Sequence, residues 1–313
     1  MTKKVFTKLI GKMPFETATQ QIDSYSYTGD ILSFKRCSWQ YGTFSHYKFT
    51  KALPVQAWFG DVIHMTIERL YRQFAGEIEN AKSKKNKGGV PTDTDVEFHI
   101  KSVIQVLKSR GMYAKKSDHT SALELAKIFN RKEGHSFYSK IIGSEVRLEA
   151  LIKPSSGMSH YMLNGIIDVL LSDSKSLEIW DYKAMDKPDV TIPQEKAKLE
   201  LLENQMFTYY EIIKRDSPGK NFSDAVIYFM NELKPGKSGK PIHRIDLKDA
   251  LIQKKISSAY AVAEKIVQEI RQAKLTGHFP LPKMGKVDTK TCDACEWRWQ
   301  CPSTSKTYKM SSP

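Results

Sequence analysis

Residues 164–183, NGIIDVLLSDSKSLEIWDYK, constrain the fold more than any other stretch of the chain. Two apolar runs, Ile166–Leu171 and Leu177–Trp180, flank a polar turn at Ser172–Ser176. Runs this short, broken by Ser and Asp, predict paired strands, not a helix. Asp168 lies inside the first run, Asp181 closes the second, and Lys183 stands two residues further on. Along a strand i and i+2 share a face, so Asp181 and Lys183 point the same way. Two carboxylates and a lysine on a sheet edge suit a hard cation, whose preferred ligands are oxygens. Taken alone, the same residues also read as a turn aspartate and a surface ion pair.

The flanking sequence extends this sheet. Ser144–Leu151 alternates apolar Val146, Leu148 and Ala150 with charged Glu145, Arg147 and Glu149, which predicts a half-buried strand. The loop 154–160 leads to a further strand, and short polar turns make the first pairs antiparallel. Val226–Met230 and Ile242–Ile245 predict later strands. Helical spacing recurs over Ile63, Ile67 and Leu70, with Asp61 as N-cap and His64 and Glu68 on one face. It recurs again over 193–215, where Gln205 and Tyr209 share a face, and over 247–274. Residues 72–140 hold two more helical patterns and a lysine-rich loop, AKSKKNKGGV, and predict a helical insertion before the first strand. A helical histidine such as His64 is by itself an ordinary surface or core residue.

Three of the four cysteines sit in Cys292-x2-Cys295-x5-Cys301, and the fourth, Cys37, lies 255 residues upstream of Cys292. Four thiolates can hold zinc or an iron–sulfur cluster. Zinc sites usually pair two C-x2-4-C knuckles and here there is one, so a [4Fe–4S] cluster fits the spacing better. The net charge of +14 points to a polyanionic partner, most simply a nucleic acid. Met1–Phe15 lacks the apolar core of a secretory signal, and no apolar run approaches a membrane span. The expected location is therefore cytoplasmic, away from membranes, where structural disulfides are uncommon.

Together these blocks resemble the RecB-like branch of the PD-(D/E)XK nucleases. More narrowly they are similar to its iron–sulfur members, such as the AddB nuclease domain and the CRISPR adaptation nucleases. Gly60-x3-His64 with Glu68 resembles the motif-I helix that supplies a metal-binding histidine. Gly165-Ile-Ile-Asp168 resembles the motif-II strand, and Asp181-Tyr182-Lys183 the D-x-K of motif III. Gln205-x3-Tyr209 resembles the Q-x3-Y helix, and Cys37 with Cys292, Cys295 and Cys301 the one-plus-three cysteine pattern. The blocks run in the family's order.

The resemblance implies an α/β fold with a restriction-endonuclease-like core. A central mixed sheet would be flanked by helices, with a helical insertion at about 72–140. An Fe–S clasp at 292–301 would join the two ends of a nuclease domain spanning 31–301. Residues 1–30 would be an N-terminal extension and 302–313 a disordered tail. His64, Asp168, Asp181 and the Tyr182 carbonyl would hold Mg²⁺ or Mn²⁺. Lys183 would orient the attacking water or stabilise the phosphorus transition state, and Gln205 and Tyr209 would contact the DNA backbone. The implied activity is metal-dependent hydrolysis of DNA, exonucleolytic more readily than endonucleolytic, on single strands or duplex ends, in repair, recombination or defence. Aromatic residues over Trp39–Tyr47 would stack on unpaired bases or belong to the core. No G-x4-G-K-[ST] loop is present, so unwinding would fall to a helicase or another DNA-processing partner. The alternative is a catalytically silent DNA-binding or scaffolding subunit of a helicase–nuclease complex. Loss of a catalytic carboxylate or lysine would mark that case, and all are present. A zinc-stabilised RNA-binding module is a third reading.

Overall fold

A computed structural model describes residues 22–49, 55–154, 159–173, 176–281, 289–299 and 301–303. Strand β1 (Ser24–Ser26) is followed by short helical turns over 27–46 and by helix α1 (Val55–Phe74). Helices α2 (Asp93–Ser109) and α3 (Lys116–Tyr138) come next, then β2 (Ile141–Ile152), β3 (Tyr161–Asp173) and β4 (Ser176–Lys183). Helix α4 (Pro193–Asp216), β5 (Phe222–Phe229), β6 (Ile242–Asp246), α5 (Ala250–Thr276) and the single turn α6 (Thr289–Asp293) complete the order. This is the mixed α/β architecture that the sequence implies, a central mixed sheet flanked by helices.

The paired strands expected within 164–183 form, and they extend beyond the apolar runs. β2 lines one edge of β3 in antiparallel register from Ile152↔Tyr161 to Ile141↔Leu171. The other edge of β3 is shared. β1 pairs with Met162–Asn164 in parallel, and β4 pairs antiparallel from Val169↔Trp180 onward. Among the described residues, 165–168 have no strand partner on that edge. Beyond Trp180, β4 leaves β3 and runs parallel to β5, with Asp181 opposite Ile227 and Lys183 opposite Phe229. The sheet is therefore split between β3 and β4, and Asp168, Asp181 and Lys183 line the split.

Each face of the sheet carries its own core. Ile179, Ala225, Ile227 and Phe229 pack with α4 and α5 through Met206, Ile212, Ile256 and Ile270. Trp180, Tyr182, Val226 and Tyr228 pack on α1–α3 through Ile63, Ile67, Val103 and Phe129. Fully burying a side chain of this size contributes roughly 1.5–3 kcal/mol, so both layers are well anchored. Strand β3 changes faces part-way along. Leu163 and Ile167 belong to the first core, whereas Val169 and Leu171 belong to the second. Residues of like parity normally share a face. The strand thus turns over at Asp168, at the point where its edge is open.

Two expectations need correction. Asp61 is not an N-cap, because α1 starts at Val55 and Asp61 lies inside it. Trp58 and Val62, both fully buried, extend the apolar stripe backward from Ile63 and keep the helix going. The fold also starts before residue 31, since Tyr25 in β1 is fully buried. Residues 1–21 of the expected extension and 304–313 of the expected tail lie outside the described residues. Within 72–140 the helices are α2 and α3, and the first residues belong to the last turn of α1. Of the aromatic residues over 39–47, Tyr41 and Phe44 are core and Tyr47 is exposed.

A candidate active site at the split in the sheet

Both helical layers reach the split. From α1, the His64 ring presents Nδ1 to Asp168 Oδ2 at 3.4 Å. Its other nitrogen, Nε2, donates to the Tyr182 carbonyl at 3.1 Å. Asp168 Oδ2 also accepts the Tyr182 backbone N–H at 2.7 Å. That bond satisfies a donor that the departure of β4 from β3 would otherwise leave open. Tyr182 offers its polar groups through the backbone; its ring is buried among Phe129, Phe137 and Tyr228 and meets the His64 ring edge-on at 5.9 Å.

From α4, Gln205 and Tyr209 approach the other face of the split. Lys183 Nζ lies 2.6 Å from Asp181 Oδ2 and donates to Gln205 Oε1 at 3.3 Å. Gln205 Nε2 lies 3.2 Å from Asp181 Oδ1 and 2.8 Å from the Tyr209 hydroxyl. The Tyr209 ring lies on β3 at Gly165, where an added Cβ would come within 2.7 Å of it. Only glycine lets the ring sit so close.

The electrostatics follow from burial and charge. Burial disfavours the imidazolium of His64, but Asp168, helped by Asp181, more than offsets it and raises the pKa to about 9. Burial likewise opposes the charge on Asp168, yet His64 and then Lys183 hold its pKa below the usual carboxylate range. Asp181 is pushed up to about 6, by burial first and then by Asp168, against the pull of Lys183. Burial acts against the Lys183 ammonium, and the Asp181 and Asp168 carboxylates outweigh it to raise its pKa. Lys183 therefore stays cationic at neutral pH.

Sequence reasoning missed one residue. Glu145 of β2 falls opposite Asp168, between the register pairs Ser144↔Val169 and Val146↔Ile167. Its φ is 49°, a left-handed conformation costing on the order of 1–3 kcal/mol, of the kind that collects at functional sites. Glu145 is exposed by surface area, yet desolvation by the groups around its carboxyl, and then the Asp168 charge, raise its pKa to about 7. Ligand atoms of His64, Glu145 and Asp168 all lie within 4.8 Å of one another. An imidazole with two carboxylates is a donor set for Mg²⁺ or Mn²⁺. Asp181 is not in that trio. Its Oδ2 is buried and meets Lys183 as an ion pair at 2.6 Å without an aligned hydrogen bond.

The fourth expected group is the cysteines. Cys301 is buried, and Cys37, Cys292 and Cys295 are half-buried. Burial raises the Cys37 thiol, and the neighbouring Cys295 and Cys301 thiols raise it further. The chain thus brings its first cysteine into electrostatic reach of two from the distant C-terminal segment.

Residues 29–302 match the profile of the family described as the PD-(D/E)XK nuclease superfamily. The chain belongs to that superfamily. PD-(D/E)XK nucleases generally use divalent metals, which suits the acidic site. Among solved structures, a protein from Eubacterium rectale named "Putative exonuclease" superposes with a TM-score of 0.51 at 13% identity. That match covers 93% of this chain and 90% of the other. A second solved protein, SSO0001, superposes with a TM-score of 0.35 at 11% identity, covering 85% of this chain and 95% of that one, and bears no weight here. No curated protein matches the chain in sequence. At 13% identity the first of these neighbours speaks for the fold alone. No helix among the described residues is long and apolar enough to cross a membrane.

Proposed function

We propose that this PD-(D/E)XK protein is a Mg²⁺- or Mn²⁺-dependent deoxyribonuclease acting on single-stranded DNA or duplex ends. It works from ends, and a separate protein unwinds duplex substrates. The observation that carries the reading is the split in the sheet. There a possible ligand trio, His64–Glu145–Asp168, adjoins a hydrogen-bonded chain of Asp181, Lys183, Gln205 and Tyr209.

His64, Asp168 and Asp181, with the Tyr182 carbonyl and Glu145, would hold the cation. When bound, it supplies positive charge against the scissile phosphate and acidifies a coordinated water. The protein's own part is positional. Lys183 remains charged and is aimed by Gln205, so it can stabilise negative charge developing on the phosphorus oxygens. Tyr209 fixes Gln205, and Gly165 fixes Tyr209, so one strand and one helix together hold the lysine. The Gln205 amide and Tyr209 hydroxyl would contact the phosphodiester backbone beside Lys183.

The cysteines support a second element of the same proposal. Cys37, Cys292, Cys295 and Cys301 would hold a [4Fe–4S] cluster that ties the two chain ends together. It would be structural, with no part in the chemistry.

Substrate preference is tested with end-labelled linear single strands, linear duplexes and covalently closed single-stranded circles, each with Mg²⁺ and with Mn²⁺. Linear single strands should be degraded and circles should resist. Equal attack on circles would refute action from ends, and no cleavage of any DNA would refute the nuclease reading.

A further inference from the structure

The turn joining β5 to β6, MNELKPGKSGK (residues 230–240), carries Lys234, Lys237 and Lys240. It is unusually well braced for a surface loop. Glu232, only 7% exposed, accepts the Lys187 backbone N–H at 3.0 Å and the Ser238 hydroxyl. Lys187 Nζ donates to the Ile242 carbonyl at 2.8 Å, and Lys132 of α3 donates to the Gly239 carbonyl at 3.1 Å. The backbone under the three lysines is thereby held at both ends and from the side.

Further contacts bring the turn beside both walls of the site. Lys237 pairs with Asp186 at 2.8 Å. Asp186 lies three residues past Lys183, a span of at most about 10 Å of chain. Lys234 stands over the Phe59 ring at 5.7 Å, on the same helix as His64 and about one turn before it. The turn thus bridges the segment that follows the site lysine and the helix that carries the site histidine. Lys234 and Lys240 have no ion pair among the described residues. The Lys237–Asp186 pair is exposed at both ends, and such pairs are worth about 0–1 kcal/mol, so Lys237 can exchange its partner.

We propose that this lysine turn is a phosphate rail. It would grip the backbone of the DNA strand on one side of the scissile phosphate. The inference rests on the nuclease reading for its ligand, and the exposed positions of the turn are charged or small, which suits backbone contacts over base reading.

The test is the salt dependence of binding to a labelled single-stranded oligonucleotide, in buffer without divalent cations so that no cleavage competes. The wild type is compared with Lys234→Gln/Lys237→Gln/Lys240→Gln. A control removes the same charge from another lysine-rich loop, Lys82→Gln/Lys84→Gln/Lys85→Gln. Thermal melting confirms that each variant is folded. Each lost phosphate contact flattens the slope of log K against log salt by about 0.7, so the rail variant should be shallower by about 2. The control should keep the wild-type slope. An unchanged slope in the rail variant overturns the inference, as does an equal loss in both variants, which would assign the effect to net charge. Either result leaves the nuclease reading intact, because that reading is judged by cleavage with Mn²⁺ and not by this slope.

Discussion

Gly165→Ala is the smallest change that tests whether the site is held rigidly. The new methyl would meet Tyr209 Cε1 at 2.7 Å and Cδ1 at 2.9 Å, where ordinary contact begins at 3.4 Å. The ring must retreat by about 0.7 Å, and at 6% exposure it is packed on most sides. Overpacking of this kind costs about 1–3 kcal/mol. Retreat also stretches the 2.8 Å contact to Gln205, whose loss adds roughly 0.5–1.5 kcal/mol. A melting temperature lower by about 2–7 °C follows, at about 1.5 °C per kcal/mol from an unfolding entropy of about 2.1 cal/mol/K per residue over 313 residues. The consequence for function is larger than for stability, because Gln205 aims Lys183 and Asp181. A displacement approaching 1 Å at such a group can cost on the order of 100-fold in rate. Cleavage of end-labelled DNA and thermal melting, measured on the same preparation, give both numbers. A double-mutant cycle then isolates the cause: in a Tyr209→Ala background the clash is gone, and Gly165→Ala should cost almost nothing further. The same cost in both backgrounds, or wild-type cleavage by Gly165→Ala, would refute the claim that the glycine serves the tyrosine.

Mn²⁺ affinity measured by calorimetry should tighten on the order of 100- to 1000-fold from pH 6 to pH 8, because the ion must displace protons from His64 and Glu145. An affinity independent of pH would remove both from the ligand set. In metal-free protein the folded pKa of His64, about 9, lies above its ordinary 6.5. Its pairing with Asp168 therefore stabilises the fold fully below about pH 6.5, and that stability is lost as pH rises through about 9. Melting temperature should fall over that window, and His64→Gln should flatten the fall. Cys37→Ala should melt lower by up to about 8 °C, since opening a clasp across 255 residues returns up to about 5 kcal/mol of chain entropy. Iron should be present at about four atoms per wild-type chain, and wild-type stability after complete metal removal would contradict the clasp.

The sequence carried the strands of the split sheet because short apolar runs with polar turns leave few other options. The histidine, lysine and Gln205–Tyr209 helix were legible for a related reason: i, i+2 and i, i+4 spacings survive as faces whatever the tertiary context. Glu145 was not legible. Alternation places it on the exposed face with Arg147 and Glu149, where the structure also has it, but nothing local marks its positive φ. Its place opposite Asp168 exists only once β2 is in register with β3, a pairing across some twenty residues that no window reports. The start of α1 was misread for the opposite reason. Asp61 is a good cap by type, but the buried Trp58 and Val62 override local preference. β1 was invisible because three residues of strand, Ser24–Ser26, carry no period to detect.

The most direct test of the central claim compares Asp181→Ala and Lys183→Ala with the wild type, measuring DNA cleavage and Mn²⁺ binding in parallel. Lys183→Ala should bind Mn²⁺ as the wild type does yet cleave on the order of 100-fold or more slowly, because it loses charge stabilisation and not a ligand. Asp181→Ala should lose both cleavage and Mn²⁺ affinity. Full cleavage by either folded variant would contradict the assignment of the split in the sheet as a nuclease centre.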